Sequence, residues 1–156
     1  MRLALHLSLA LAVVALDFVS KRWVESSLEF GQSVPVTGFF NLVLAHNTGA
    51  AFSLLADAGG WQRLFFGSIA AVASAVIVYL LVKHGQRTLF ALALSLILGG
   101  ALGNLIDRIR LGHVIDFLDF YVQNHHWPAF NLADSAIFAG AALLIWDSFR
   151  KPEVKP

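Results

Sequence analysis

The chain contains no cysteine. Disulfides, thiolate nucleophiles and cysteine-ligated metals are therefore excluded, while the compartment is left undecided. Charge is scarce as well. Asp, Glu, Lys and Arg make up 13% of the 156 residues, where soluble domains carry about 25%. Neither sign dominates, and a net charge of +1 gives no basic field for nucleic acid. There is no H-E-x-x-H and no G-x-S-x-G. Ser20 and Lys21 are sequence neighbours and point apart on a helix, which argues against a serine nucleophile with a lysine base. His125 and His126 are also adjacent, a poor arrangement for sharing a metal on one helix face. No internal repeat or low-complexity tract is visible.

What is abundant is apolar. Hydrophobic residues reach 58% and the mean hydropathy is +0.71, so lipid rather than water is the expected main solvent. A spanning helix needs roughly 20 mostly apolar residues. Residues 64–82 and 88–106 carry no charge, residues 129–146 carry only Asp134, and residues 3–20 carry only His6 and Asp17. Four transmembrane helices are expected, over about 3–23, 62–83, 88–109 and 129–149, in a single membrane-embedded domain spanning 1–156. The first run could be read as a cleaved leader, but "DFVSKRW" follows it without an A-x-A-like site. It is taken as a retained helix.

Four spans place both termini on one side. Six basic residues fall there (Arg2, Lys83, Arg87, Arg150, Lys151, Lys155) and five on the other. The six are packed into short segments, which favours cytoplasmic termini. The acids divide more sharply: only Asp147 and Glu153 join the termini, and the other eight share the opposite face. Acids do not set topology, so this asymmetry points to a site. On that face, "SVPVTGFFNLVLAHN" reads as two short strands within a sheet-forming stretch of about 28–55. "LADAGGWQR" reads as a turn or interfacial helix, with Trp61 at headgroup level. Residues 112–127 are too few for a domain.

Several polar residues carry two readings. Asp17 and Lys21, four apart with the acid first, suit an ion pair, more a structural than a catalytic feature. Asn104 lies inside an apolar run, where a buried amide must find partners. Joining helices and holding a substrate backbone are equally good accounts of it. Arg108 shares its face and could simply snorkel. Gly99 and Gly103 form a G-x-x-x-G, whose default meaning is close helix packing. Asn131 and Asp134, in "FNLADSAI", resemble a capping box, yet an ionisable group at this depth is also a functional candidate. Asp116 stands between Ile115 and Phe117, and Asp119 is an alternative that the sequence barely separates from it.

If two such carboxylates meet in a low-dielectric site, they cannot both ionise and would share a proton. One could then deprotonate an attacking water while the other hydrogen-bonds a peptide carbonyl. A non-enzymatic alternative is a small transporter or channel whose acids and arginines line a polar path. Transporters often show repeated halves, and this chain shows none.

The segments "DFVSKRWV", "NLVLAHNTGAAFSLL", "GGALGNLIDRIRLGHVIDFLDF" and "FNLADSAI" resemble, in order and over nearly the whole length, the lipoprotein signal peptidase (signal peptidase II) family of bacteria. The resemblance implies a polytopic all-α membrane protein with four transmembrane helices and a small periplasmic β-cradle. It implies an intramembrane aspartyl endopeptidase in the bacterial inner membrane, with its active site near the periplasmic face. The enzyme would remove the signal peptide from diacylglyceryl-modified prolipoproteins, just before the lipidated cysteine, and be inhibited by globomycin-type cyclic peptides. It would use neither a metal nor another cofactor. The family's catalytic pair falls on Asp116 and Asp134. Its supporting polar residues fall on Asp17, Lys21, Asn47, Asn104, Arg108 and Asn131. Asn47 otherwise reads as part of an Asn–Thr–Gly turn. A lid-like element would correspond to the region around Asp57 and Trp61.

Overall fold

A computed structural model describes residues 2–49 and 60–149. Four helices form where the apolar runs lie: α1 (Arg2–Ser27), α2 (Trp61–His84), α3 (Thr88–Arg110) and α4 (Leu132–Phe149). All four are long and apolar enough to cross a membrane. At 1.5 Å per residue, α1 extends for about 39 Å. It therefore outruns a hydrocarbon core of about 30 Å.

Helix α3 packs against the other three. Its residues Ala91, Leu94 and Leu98 join Ala10 of α1 and Ile77 and Leu81 of α2 in one core cluster. Leu5, Leu11, Val72 and Trp146 are exposed on the outside of the helices. Bilayer lipid is as apolar as leucine, so close backbone approach rather than water exclusion must hold the helices together. Glycine supplies that approach. A Cβ on Gly99 would lie 2.6 Å from Val13 Cβ, and one on Gly103 would lie 2.7 Å from Asp17 Oδ2, so the G-x-x-x-G is the seat of α1. Gly100 faces α4 instead, and its missing Cβ would run into the Ala133 carbonyl.

Beyond the helix ends lies an antiparallel sheet in the order β1 (Ser33–Thr37), β2 (Phe40–Asn47), β3 (Val114–Val122) and β4 (His125–His126). Strands β1 and β2 come from the stretch expected to form them. Strands β3 and β4 come from the 112–127 connection, read above only as too short for a domain. "VIDFLDFYV" is covered on both faces over residues 114–117 and exposed at Phe120 and Val122, so strict alternation is lost. Strand β3 pairs with β2 from Phe40↔Phe120 to Asn47↔Val114, with a register shift between Leu42 and Ala45. Residues Ile115 and Phe117 turn toward Val24 of α1 and Leu44.

Candidate active site

Strand parity decides where the two acids of β3 go. Side chains alternate faces along a strand. Ile115 and Phe117 fill the core toward α1, whereas Val114 and Asp116 line a cavity of about 630 Å³. Asp119 has the parity of Ile115. It lies outside that cavity, bonded to Asn41 and His126. Of the two acids, Asp116 lines the cavity and Asp119 does not.

Asp134 enters the same cavity from the first turn of α4. Its position follows from the cap. The backbone N–H of Asp134 donates to Asn131 Oδ1 at 2.9 Å, and the Asn131 N–H donates to Asp134 Oδ2 at 3.3 Å. This reciprocal pair is a capping box. The amide nitrogen of Asn131 remains available, and it donates to Asp116 Oδ1 at 2.7 Å and to the Ile115 carbonyl at 3.1 Å. One side chain thereby caps the helix with its oxygen and holds Asp116 with its nitrogen.

Asn104 makes the corresponding link to the second acid. Its Nδ2 donates to Asp134 Oδ1 at 2.7 Å. Its Oδ1 accepts from Lys21 Nζ at 3.0 Å and from Asn131 Nδ2 at 3.2 Å. Asn104 therefore joins α1, α3 and the start of α4, and it touches an acid in the cavity. Asn47 also serves twice. Its Oδ1 accepts the Gly49 N–H at 3.0 Å, forming the expected turn, and its Nδ2 donates to Asp116 Oδ2 at 3.0 Å.

Behind this layer sits Lys21, 1% exposed. Its ammonium meets Asp17 at 2.7 Å and Asp107 at 2.8 Å as well as Asn104, so three acceptors match its three N–H groups. Asp17 in turn accepts the Ala133 N–H at 2.9 Å, and so a carboxylate of α1 satisfies an orphan donor at the start of α4. Arg108 borders the cavity, donating to the Gly49 carbonyl at 2.9 Å with its guanidinium 5.8 Å from the Phe66 ring centroid.

The residues singled out in the sequence are thus drawn together from α1, β2, α3, β3 and α4. Asp107 was missed as a member. Its spacing of three from Asn104 was the available signal, and its Oδ2 also accepts the Ile115 N–H at 3.4 Å. Asp57, in the expected lid, lies outside the described residues, while Trp61 opens α2 half exposed.

Asp116 is 3% exposed, and burial, then the like charge of Asp134, push its carboxyl up to about 7. The bonds from Asn47 and Asn131 work the other way. Apart from Ser135, the remaining wall is apolar and includes Trp127, Pro128, Phe130, Ile137 and Phe138.

A family model described as signal peptidase (SPase) II matches residues 9–150. The chain belongs to the signal peptidase II family. Among its relatives, the lipoprotein signal peptidase of Cupriavidus necator is 59% identical over 147 residues, covering 94% of this chain and 84% of that one. The lipoprotein signal peptidase of Paraburkholderia phytofirmans is 56% identical over 149 residues, covering 96% and 87%. Two solved bacterial membrane enzyme structures, determined by the in meso method at 2.3 and 1.9 Å, share the fold. They superpose with TM-scores of 0.84 and 0.83 at 32% identity, covering 98% and 95% of this chain and 94% of each neighbour. The four apolar helices and the small antiparallel sheet of this family member make it a multi-pass protein of the bacterial inner membrane.

Proposed function

We propose that the chain is an aspartyl endopeptidase that removes the signal peptide from diacylglyceryl-modified prolipoproteins, with Asp116 and Asp134 as its catalytic dyad. The observation that carries this reading is the convergence of those two acids on one cavity, each gripped by asparagine amides. One of the two is held at a protonation midpoint near neutrality.

The chemistry follows from one proton shared between two acids. The ionised member takes a proton from water as the water oxygen attacks the scissile carbonyl carbon. The protonated member hydrogen-bonds the carbonyl oxygen as the carbon becomes tetrahedral. Collapse of that intermediate breaks the C–N bond, and the proton taken from water passes to the leaving amine. Asn47, Asn104 and Asn131 hold the carboxyl planes. Asp17, Lys21 and Asp107 hold the asparagines and the start of α4. Arg108, anchored on the Gly49 carbonyl, is the cation suited to a substrate carbonyl at the cavity mouth.

Family membership supplies the substrate and inhibitor classes, and the depth of the site is in keeping with them. Asp134 lies in the first turn of α4, and Ile137 and Phe138 continue the cavity wall along that helix. A substrate with acyl chains and an apolar signal helix keeps both in lipid while its scissile bond reaches the dyad. Globomycin-type cyclic peptides would occupy the same cavity. In this reading the sheet and dyad face the periplasm and both termini face the cytoplasm.

The test uses a lipid-modified prolipoprotein in proteoliposomes. Asp116→Asn and Asp134→Asn should each insert and fold yet lose at least about 10³-fold in turnover, the scale of an acid/base group. Near-normal cleavage by either variant would overturn the dyad.

A further inference from the structure

We propose that Asp119 is a positioning residue: through Asn41 and His126 it pins the aromatic wall of the cavity and so sets substrate affinity rather than the bond-breaking step. This rests on the peptidase reading above.

Asp119 is 7% exposed. A buried carboxylate is costly unless partnered, and this one is partnered from two strands. Asn41, its register partner on β2, donates to Oδ2 at 2.8 Å. His126 Nδ1, on β4, lies 2.9 Å from both carboxyl oxygens. The histidine ring also stacks on Tyr121 at 5.0 Å, and the Tyr121 hydroxyl donates to the Thr37 carbonyl at 3.1 Å. One carboxylate on β3 thus ties β2 to β4, while Tyr121 carries the tie on to β1.

The consequence lies immediately downstream. Strand β4 has two residues, paired as Tyr121↔His126 and Val122↔His125, too short to hold itself. From it the chain passes through Trp127, Pro128, Ala129 and Phe130, all of which line the cavity holding Asp116 and Asp134. At the far end Phe130 exchanges backbone bonds with Leu118, at 3.1 and 2.8 Å. Pro128 has no N–H to anchor the middle. The wall is fixed at its two ends, the near one by the Trp127 N–H on the Phe120 carbonyl at 2.7 Å together with the His126 ring, and Asp119 is the buried acceptor that orients that ring. His126 itself has a side chain 52% exposed, so without that acceptor water would compete for its ring nitrogen.

The experiment has a binding arm and a kinetic arm. In the Asp116→Asn background, which by the reading above binds without cleaving, the dissociation constant of the uncleaved lipid-modified prolipoprotein is measured in nanodiscs. Adding Asp119→Ala or His126→Ala should weaken binding about tenfold, the scale of re-ordering one or two side chains. His126→Asn, whose amide nitrogen can replace Nδ1, should restore it. In the otherwise native enzyme the same variants should raise KM about tenfold with kcat changed less than about threefold. An unchanged dissociation constant and KM in His126→Ala, or a loss confined to kcat, would overturn the proposal. If Asp119→Ala does not fold, His126→Ala at a half-exposed position decides. If Asp116→Asn still cleaves, the dyad falls, while the KM and kcat of His126→Ala still judge the role of Asp119.

Discussion

Asp116 keeps a carboxyl where water is scarce and another acid is near, and its pH behaviour follows. Unfolded, the group titrates near 3.9; folded, it is pushed up to about 7. The folded state holds the proton longer, so stability falls as pH rises from about 4 to about 7 and levels off above. Melting in detergent should show that decline in the wild type, and Asp116→Asn should lack this component of it. Catalysis needs the shared proton, so kcat/KM should drop roughly tenfold per pH unit once pH passes well above about 7. A flat alkaline limb would argue against proton sharing. Lys21 belongs to the same scale. Its removal as Lys21→Met would leave Asp17 and Asp107 buried without their cation, a loss of about 3–5 kcal/mol, seen as a large fall in Tm. These roles were only half legible in the sequence. The four-residue spacing of Asp17 and Lys21 announced a pair, but their joining Asn104 and Asp107 depends on α3 lying against α1.

At the scale of elements, α3 is the piece on which the site is built, and its glycines set how closely its neighbours approach. A methyl group at Gly103 would press on Asp17, and one at Gly100 would strike the backbone of Ala133 in α4. Gly103→Ala and Gly100→Ala should each cost about 1–3 kcal/mol through overpacking, with Gly100→Ala the worse because backbone cannot swing aside. Both should impair cleavage, since Asp17 and the first turn of α4 move with the clash. Gly67→Ala is the control. Its Cβ would meet Leu105 Cδ1 at 3.8 Å, an ordinary contact, and Tm should hold or rise. The G-x-x-x-G was readable as packing, but which glycine meets which helix was not, because that depends on the rotation of α3 among three partners. The strand character of residues 114–122 escaped notice for a similar reason: its first half is buried on both faces, which erases the period of two.

For the molecule as a whole, the proposed orientation is testable because the chain has no cysteine of its own. Single cysteines at Ser33 in β1 and at Gln86, between α2 and α3, occupy exposed positions at opposite ends of the helices. A membrane-impermeant maleimide should label Ser33→Cys in intact spheroplasts and Gln86→Cys only after permeabilisation. The reverse pattern would invert the topology and place the dyad on the cytoplasmic side.

Sequence by itself determined the solvent, the number of crossings and the stock of polar groups, because insertion into lipid responds to the hydropathy of each segment locally. It also marked Asn104, Asn131 and Asp134 as polar groups lodged in apolar stretches. Only the tertiary structure decided that Asp116 shares a cavity with Asp134 and that Asp119 does not. That choice is made by the pairing of β3 with β2 and by α1 covering the Ile115 face, contacts between segments far apart in the chain. The same distant contacts brought Asp107 to Lys21 and the Asp17 carboxylate to the first turn of α4. Local sequence could not specify them, because each depends on how α3 seats against its neighbours.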